Sequence, residues 1–236
     1  KRIVVTGAGK GIGRAVAVML AARGAHVVAL TRSAEDLDSL AAEIACTPVA
    51  VDLADADAAR DAARGAVPAD YLVNCAGTTA LDPFIDVPVE TFDHILAVNT
   101  RAPMIVAQEY ARSCIDRGAG GAIVNVSSIS SSVGFTDHTA YCASKGALDA
   151  MTAVMANELG PHRIRVNAVN PVVTLTPMAV KAWSDPAKAN PVLSRIPIGR
   201  FVQPDEVGEA ICFLLSDAAS AISGVCLKID GGFSTR

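Results

Sequence analysis

The feature that most constrains the fold is a glycine-rich turn near the start of the chain. The apolar run Arg2–Thr6 leads into the sequence GAGKGIG at positions 7–13, and an alanine-rich segment of helical period follows. Glycine permits a tight turn and lets other atoms approach the backbone closely. The pattern therefore predicts a strand that passes directly into a helix, whose first N–H groups remain free at the turn.

Short β-branched runs alternate with longer segments of helical period along the rest of the chain. Strands are predicted at Arg2–Thr6, His26–Thr31, Thr47–Val51, Tyr71–Asn74, Ala122–Val126, Arg165–Val169 and Val225–Ile229. Helices are predicted at Gly11–Arg23, Ala34–Ala45, Ala54–Arg64, Pro88–Arg117, Tyr141–Leu159 and Pro204–Leu215. This alternation predicts an α/β fold with a parallel sheet covered by helices on both faces. Without an internal repeat or a charged linker, positions 1–236 are expected to form one domain.

The densest irregular stretch of the sequence is residues 171–200, which carries five prolines. It follows the end of a predicted strand, and open α/β sheets bind ligands at the carboxyl ends of their strands. Long irregular segments in compact domains are often lids or binding loops. We therefore predict a substrate lid at about 177–197, with an ordinary surface connection as the alternative.

Composition and charge exclude several classes of protein. The net charge of −4 without basic clusters argues against a nucleic-acid-binding surface. There is no apolar run long enough for a membrane span and no secretory signal pattern before the first strand. The six cysteines and four histidines are dispersed, without the spacing of a metal site. We expect reduced thiols, a cytoplasmic location and no metal.

The residues after the second predicted strand indicate which ligand the glycine turn serves. A strand, a glycine turn and a helix in sequence are typical of dinucleotide binding, and no Gly-Lys-Ser/Thr follows as in a P-loop. An acidic residue after the second strand would bind the ribose hydroxyls of NAD, whereas arginine accommodates a 2′-phosphate. Thr31 and Arg32 occupy that point, and Lys10 adds a second positive charge. This arrangement predicts NADP(H), the alternative being that both charges are simply solvated.

Eight short motifs, in this order and spacing, resemble the short-chain dehydrogenase/reductase family. They are TGAGKGIG (6–13), VDL (51–53), NCAG (74–77), the region around Asn99, NVSS (125–128), YCASK (141–145), IRVNAVNP (164–171) and DGG (230–232). The resemblance implies a single Rossmann-like, doubly wound domain with a seven-stranded parallel sheet, usually assembled as a homotetramer. The runs ELGPHRIRVNAVNP, TPM–WSDP and RIPIGRF are similar to the dicarbonyl and L-xylulose reductase branch, in which NADPH reduces α-dicarbonyls and ketoses.

The resemblance also implies a set of cofactor-binding residues, to which Tyr141 and Lys145 belong. The others are Gly7, Gly11, Ile12 and Gly13 at the pyrophosphate, Asp52 and Leu53 at the adenine, Asn74, Ala76 and Gly77 at the ribose, and Thr174 and Thr176 at the nicotinamide. Two positions depart from the family pattern. NCAG replaces the commoner NNAG, and Asn170-Pro171-Val172 replaces the commoner Pro-Gly, which predicts a differently shaped nicotinamide loop.

The catalytic prediction follows from the chemistry of carbonyl reduction. Hydride transfer builds negative charge on the carbonyl oxygen, so the site needs a proton donor and a second hydrogen-bond donor. Tyr141 and Lys145 share one helix face, and a nearby ammonium would lower the pKa of tyrosine from its usual value of about 10. We predict Tyr141 as general acid and base, with Ser128 donating to the substrate oxygen. Asn99 would hold a water that links Lys145 to solvent.

Four residues are predicted on the substrate side, namely Ser128, Ile129, His138 and Trp183. Ile129 stands where a polar residue would help to bind sugar hydroxyls, which favours less polar carbonyls. His138 could hydrogen-bond a substrate or a loop carbonyl. Trp183, the only tryptophan, could close over the substrate or pack as ordinary core.

Three functions remain to be compared. The favoured prediction is reversible, NADPH-dependent reduction of a small ketone, α-dicarbonyl or ketose. A reductase of 3-oxoacyl groups on a carrier protein would use the same catalytic residues, and Arg195 and Arg200 near the lid give it thin support. A non-catalytic dinucleotide-sensing protein is the third alternative, against which the intact Tyr141 and Lys145 argue.

Overall fold

In the computed structural model, which describes residues 1–235 apart from the side chains at positions 178, 181, 182 and 188, seven parallel strands form one sheet. The strands from β1 to β7 are Arg2–Thr6, His26–Thr31, Cys46–Ala50, Tyr71–Asn74, Gly121–Val126, Ile164–Pro171 and Cys226–Ile229. Their order across the sheet is β3-β2-β1-β4-β5-β6-β7, and every neighbouring pair is parallel. The predicted fold class is confirmed.

Helices cover both faces of the sheet. From α1 to α9 they are Gly11–Ala22, Ala34–Glu43, Ala56–Ala66, Val89–Leu96, Ala102–Asp116, Thr139–Leu159, Pro177–Ala182, Pro186–Leu193 and Pro204–Leu215. One core contains residues of α1, α2 and α9, and the other contains residues of α3 and α5 with α6 packed against it. In β1, Ile3 and Val5 belong to the first core and Val4 to the second. Strands buried on both faces explain why the sequence is apolar at successive positions rather than alternating.

The strand order reverses between β1 and β4. From β1 the sheet extends through β2 to β3 on one side, and from β4 through β5 and β6 to β7 on the other. Thr6 and Asn74, the last residues of β1 and β4, pair with each other at this point. Ligands of open α/β sheets bind beside such a reversal, outside the carboxyl ends of the strands. The loops that leave β1 and β4 therefore border the crevice in which a site is expected.

The stretch predicted to be irregular, residues 171–200, contains two helices. α7 begins at Pro177 and α8 at Pro186, each in the first helical turn, where the missing N–H of proline removes no hydrogen bond. The side chains of Thr176 and Asp185 cap them by accepting from the backbone N–H groups of the first turn. The prediction that this proline-rich stretch is irregular was therefore wrong, because Pro177 and Pro186 each begin a helix.

The long helix predicted over Pro88–Arg117 is also interrupted. A π-helical turn over Ala97–Arg101 separates α4 from α5. Pro103 supplies the physical reason, because it has no N–H to donate to the carbonyl of Asn99 and its ring crowds that carbonyl. π-turns inside α-helices are frequent at functional sites, and this one contains a predicted catalytic residue.

The glycine turn has the close packing that its sequence predicts. A Cβ on Gly13 would lie 2.2 Å from the carbonyl oxygen of Gly7, and a Cβ on Gly7 would lie 2.8 Å from the backbone of Ala76. Gly7 and Gly11 also have positive φ angles of 67° and 56°, which most side chains disfavour. Glycine is therefore required at these positions for α1 to start directly above β1 and to approach the loop after β4.

We predict that Gly13→Ala lowers the free energy of unfolding by about 3 kcal/mol, because overpacking at this contact forces the backbone apart. Gly65→Ala is the matched control, since a Cβ at Gly65 in α3 meets no atom within 4 Å. That control is expected to be neutral or stabilising by up to about 1 kcal/mol, since alanine is the better helix former. Urea unfolding followed by circular dichroism measures both, and equal effects would contradict the role given to Gly13.

Candidate active site

Three predicted catalytic side chains meet at the carboxyl end of β5. Ser128 follows β5 and begins the 3₁₀ turn Ile129–Ser131, where its Oγ accepts from the backbone N–H of Ser130 at 3.1 Å. Tyr141 and Lys145 lie one turn apart on α6, and Ser128 hydrogen-bonds to the Tyr141 hydroxyl. The end of β5 and the first half of α6 thus bring together residues that are 13 and 17 positions apart in the chain.

The Lys145 ammonium is buried and fixed to the sheet. Its Nζ donates to the carbonyl oxygen of Val126, the last residue of β5, at 2.8 Å, and lies 5.6 Å from the centroid of the Tyr141 ring. Burial lowers the pKa of Lys145 to about 8, against the opposing influence of Cys75 and Asp149. At neutral pH Lys145 is therefore a cation, but one close to its titration range.

The predicted lowering of the Tyr141 pKa is not found. Burial raises the pKa of Tyr141, the hydrogen bond from Ser128 offsets only part of this effect, and the neighbouring thiols of Cys142 and Cys75 add to it. The prediction was wrong because the Lys145 ammonium is directed at a main-chain carbonyl of β5. Spacing along α6 alone could not reveal that direction.

Asn99 is fully buried in the π turn, and its side-chain amide is occupied. Its Oδ1 accepts from the backbone N–H of Thr78 at 2.8 Å, and its Nδ2 donates to the carbonyl of Thr78 at 2.9 Å and to Ser144 Oγ at 3.0 Å. Asn99 therefore joins the loop after β4, the π turn and α6. A water of the kind predicted for Asn99 would have to bind its backbone carbonyl, to which Pro103 donates no N–H.

The glycine turn, the loop after β4 and the loop after β6 line one groove. A Cβ on Gly11 would lie 2.9 Å from Cγ2 of Thr176, and a Cβ on Gly77 would lie 3.6 Å from Nζ of Lys145. Together with the contact between Gly7 and Ala76, these approaches connect the predicted pyrophosphate residues to Lys145, the predicted catalytic lysine. At Gly7 and Gly11 the neighbouring loops can approach this closely only because glycine has no side chain.

Two predicted cofactor residues turn their side chains away from this groove. Asn74 is 2% exposed, and its Nδ2 donates to Oδ1 of Asn125 in the interior at 3.0 Å. Thr174 is also buried, with its hydroxyl donating to the carbonyl of Val172 at 3.0 Å. Either residue could therefore border a ligand only through its backbone.

The predicted adenine residues follow β3 and differ from each other in exposure. Leu53 is buried in the second core, whereas Asp52 is exposed and accepts from the backbone N–H of Ala54 at 3.0 Å. Ile12, predicted at the pyrophosphate, is half-buried against the first core. Of these three side chains, only that of Asp52 is fully open to solvent.

The charges predicted to bind a 2′-phosphate lie around the end of β2. Lys10 Nζ is 3.2 Å from Oδ2 of Asp36, an ion pair that the sequence reasoning did not include. Arg32 is exposed and forms no ion pair with any residue in the described range 1–235. Thr31 ends β2, and its Cγ2 lies 3.2 Å from where a Cβ on Gly9 would stand. The groove therefore presents the Arg32 guanidinium, which is unpaired among the described residues, and the Lys10 ammonium, which forms an ion pair with Asp36.

The predicted substrate residues differ in their burial and in their contacts. Ile129 is 1% exposed and packs in the first core, so the argument that it favours less polar carbonyls is not supported. His138 Nδ1 lies 2.6 Å from the carbonyl oxygen of Thr136, and its ring stands edge-on to Tyr141 at 6.3 Å between centroids. The loop carbonyl, one of the two partners considered for His138, thus takes Nδ1 and leaves Nε2 for a second partner.

Trp183 immediately follows α7 and is half-buried. Its ring centroid lies 5.9 Å from that of Phe201, which is 8% exposed and belongs to the first core. One side of the indole therefore packs on the core while another remains accessible. The position is compatible with both alternatives considered for Trp183.

Two polar residues behind the predicted catalytic group, the buried Asn170 and the half-buried Asp149, were not predicted from the sequence. Asn170, next to last in β6, donates from Nδ2 to the carbonyl of Ser128 at 3.0 Å and to Oδ2 of Asp149 at 2.7 Å. Asp149 lies one helical turn after Lys145 on α6. The signal was present, because Asp149 continues the spacing of four from Tyr141 and Asn170 belongs to one of the two departures from the family pattern.

Other ligand types find little support in the part of the chain that the structure describes. Across residues 1–235, no three His, Cys, Asp or Glu side chains gather as metal ligands would. Among the same residues, no helix is both long enough and apolar enough to cross a membrane. All six cysteines are free thiols.

Known proteins share this fold and sequence over nearly the full length of the chain. Residues 7–234 match the family described as enoyl-(acyl carrier protein) reductase. An L-xylulose reductase of Bos taurus is 53% identical, over 99% of this chain and 96% of its own. A carbonyl reductase 2 of Sus scrofa, whose name specifies NADPH, is 46% identical over 98% and 96%. A Beutenbergia cavernae protein, described as a candidate NAD(P)-dependent gluconate 5-dehydrogenase with NADP bound at low occupancy, superposes with a TM-score of 0.94 at 34% identity, covering 100% of this chain and 97% of its own.

Proposed function

The chain belongs to the short-chain dehydrogenase/reductase family of oxidoreductases, and we propose that it reduces a small ketone, an α-dicarbonyl or a ketose to the alcohol with NADPH, reversibly. One observation carries the proposal. Ser128, Tyr141 and Lys145 converge at the carboxyl end of β5, next to the groove that begins at the glycine turn. A non-catalytic member would have no need of this group, so we set that alternative aside.

The arrangement of the loops suits a dinucleotide. A Cβ on Gly7 would lie 2.8 Å from Ala76 and one on Gly11 2.9 Å from Thr176, so the glycine turn, the loop after β4 and the loop after β6 lie side by side at the carboxyl ends of the strands, where such cofactors bind. The start of α1 offers free N–H groups to a pyrophosphate. We propose that the cofactor is held by Gly7, Gly11, Ile12 and Gly13, by Asp52 and Leu53, by the backbones of Asn74, Ala76, Gly77 and Thr174, and by Thr176, Tyr141 and Lys145.

The proposed mechanism assigns one task to each side chain. Bound NADPH supplies the hydride that the carbonyl carbon accepts. Ser128 and Tyr141 donate hydrogen bonds to the carbonyl oxygen, and Tyr141 transfers its proton as negative charge develops there. The Lys145 ammonium stabilises the resulting phenolate, because a nearby cation favours the charged form. A water on the backbone carbonyl of Asn99 then returns a proton through Lys145.

We propose NADP(H) rather than NAD(H) because of the charges after β2. Arg32 is unpaired among the described residues and can meet a 2′-phosphate through two parallel hydrogen bonds. Lys10 contributes a second positive charge, reduced by its pairing with Asp36. The Sus scrofa relative named for NADPH supports the same choice.

We propose a ketose or other small carbonyl as substrate. The relatives that are about half identical carry names of sugar and carbonyl reductases, and Nε2 of His138 can accept from a substrate hydroxyl near Tyr141. A carrier-protein substrate has less support from the structure than from the sequence alone. Arg200, one of its two indicators, pairs with Glu206 at 2.7 Å, which reduces the positive charge that it offers to an acidic partner.

We further propose a cytoplasmic homotetramer. Apolar side chains stand exposed on β7 and α6, among them Leu227 at 37% and Val154 at 53%. Such patches mark association surfaces in soluble enzymes. The six free thiols fit a reducing compartment.

We predict that Tyr141→Phe lowers kcat by about 10²- to 10⁴-fold, because it removes only the proton that general acid catalysis requires. The dissociation constant for NADPH should stay within about threefold of wild type, a change of under 1 kcal/mol. Tyr71→Phe, at the amino end of β4 and thus away from the carboxyl ends of the strands, is the control and should leave turnover unchanged. Steady-state kinetics with a ketose and a diketone measure this, and more than a tenth of wild-type turnover in Tyr141→Phe would sink the assignment.

We predict that the double substitution Thr31→Asp with Arg32→Ser shifts the preference from NADPH to NADH. A carboxylate repels the 2′-phosphate and accepts from a free 2′-hydroxyl. The ratio of kcat/KM for the two cofactors should change by about 100-fold, corresponding to about 3 kcal/mol of lost charged hydrogen bonding. Arg23→Ser, after α1 and bound to Glu209, serves as control. Unchanged KM values for both cofactors would show that these positions do not contact the phosphate.

We predict that Pro177–Pro197 acts as a lid whose Trp183 responds to ligands. Adding NADP⁺ and then a substrate analogue should change the tryptophan emission, which arises from this residue alone. Trp183→Ala should raise KM more than it lowers kcat if the ring supplies uniform binding energy. Constant emission through saturation, with unaltered kinetics in the variant, would make Trp183 ordinary packing against Phe201.

A further inference from the structure

A half-buried carboxylate, Asp149, and a buried amide, Asn170, lie directly behind the proposed catalytic group. Asn170 is 2% exposed, and Oδ1 of both Asn170 and Asp149 is buried without a hydrogen-bond partner among the described residues. An unsatisfied buried polar atom typically destabilises a fold, and apolar residues of similar volume are often at least as stable in such places. The pair is therefore poorly explained by stability alone.

The Asn170 amide links the carboxylate to the backbone of the proposed catalytic serine. Its Nδ2 lies 2.7 Å from Oδ2 of Asp149, 3.0 Å from the carbonyl oxygen of Ser128 and 3.0 Å from Oγ of Ser131. Two hydrogens thus serve three acceptors, and the shortest contact is to the charged one, as expected for a charge-assisted hydrogen bond. Asp149 fixes the orientation of the amide, because a flipped amide would turn its own oxygen toward the carboxylate.

The same carboxylate also acts on Lys145. Asp149 follows Lys145 by one turn of α6, so the two side chains share a face of the helix. Its negative charge raises the pKa of Lys145 and so opposes the effect of burial. The other groups around the ammonium are the carbonyl of Val126, the ring of Tyr141 and the thiol of Cys75. Of these, the thiol ionises only well above neutral pH, since burial raises its pKa to about 12.

Cys226 of β7 is the remaining group that faces the carboxylate. Its thiol lies near Asp149, and burial, with the nearby carboxylate, raises its pKa to about 11. The thiol is therefore neutral at physiological pH and adds no charge that would offset Asp149. Among the described residues that face Lys145, this leaves Asp149 as the source of negative charge near neutral pH.

We propose that Asp149 and Asn170 are positioning residues of the carbonyl reduction, Asn170 by fixing the Ser128 backbone at its carbonyl and Asp149 by orienting that amide and keeping Lys145 protonated. The inference rests on the catalytic assignment proposed above. Neither residue touches the reacting atoms in this assignment, and each acts through a neighbour that does.

The charge is tested by Asp149→Asn, which keeps the shape of the side chain. At pH 6, where Lys145 is protonated with or without Asp149, kcat/KM should remain within about threefold of wild type, equivalent to under 1 kcal/mol, because the amide oxygen introduced at position 149 can still accept from Nδ2 of Asn170 and keep its orientation. The alkaline limb of the kcat/KM profile should shift to lower pH by about one unit, because one negative charge near a buried ammonium is lost. Asp149→Glu, which retains the charge, should restore the alkaline limb.

Glu158→Gln provides the matched control for the change of charge. Glu158 lies on the same helix, thirteen residues after Lys145, or about 20 Å along the axis. Its profile should coincide with that of wild type. Should Asp149→Asn coincide with wild type as well, or fall by one factor at every pH, the proposed effect on Lys145 is overturned.

Asn170→Ala tests the positioning role separately. This test remains available if the Asp149 variants do not fold. Removing the amide should lower kcat about tenfold at pH 6, which corresponds to about 1.4 kcal/mol of lost transition-state stabilisation. KM should change less than threefold. Circular dichroism and NADP⁺ titration confirm that the variant is folded and binds cofactor. An unchanged kcat, or a loss confined to KM, overturns the positioning role.

Tyr141→Phe measured in the same assays separates this inference from the assignment beneath it. If Tyr141→Phe stays active, the catalytic assignment itself is wrong. If Tyr141→Phe is inactive while the Asp149 and Asn170 variants match wild type, the assignment stands and only the positioning role fails.

Discussion

The hydrogen bond from the Lys145 ammonium to the carbonyl of Val126 is the interaction on which the rest of the site depends. It joins α6 to the last residue of β5 at 2.8 Å in the protein interior. A charged donor bound to a buried carbonyl is strong and directional, so it sets the height and rotation of α6 above the sheet. Tyr141, one turn earlier on the same helix, is thereby placed against Ser128, which follows the same strand.

Buried side-chain amides hold the surroundings of this contact in place. Asn74 donates to Asn125 across the β4–β5 pair, and Asn125 in turn donates to Thr152 of α6 at 2.8 Å. Asn99 ties the loop after β4 to α6, and Asn170 ties the turn after β5 to the same helix. Amides can donate and accept at once, so a short chain of them connects elements whose own backbone groups are used in the sheet. The site is consequently rigid where the reacting atoms would lie.

The sequence predicted the fold, and the proximity of the proposed catalytic residues, better than it predicted the interactions of individual side chains. The glycine turn at positions 7–13 and the alternation of apolar strands with helices predicted a parallel sheet covered by helices, and the structure contains that sheet. Predictions of individual interactions failed where tertiary contacts determine them. The direction of the Lys145 ammonium, the ion pair between Lys10 and Asp36 and the burial of Ile129 each depend on a neighbour distant in sequence. The prolines at 177 and 186 misled for a local reason, since proline both breaks helices and begins them.

The protonation states of the site suit one direction of the proposed reaction. Burial raises the pKa of Tyr141, so the phenol keeps its proton at neutral pH, while Lys145, with a pKa of about 8, is still mainly a cation. Reduction needs a protonated tyrosine beside a cation that stabilises the phenolate once the proton has left, and the free site already has both. Oxidation needs the phenolate at the outset, which burial disfavours and the Ser128 hydrogen bond offsets only in part. The geometry that fixes Lys145 to β5 therefore also poises the acid for carbonyl reduction near neutral pH.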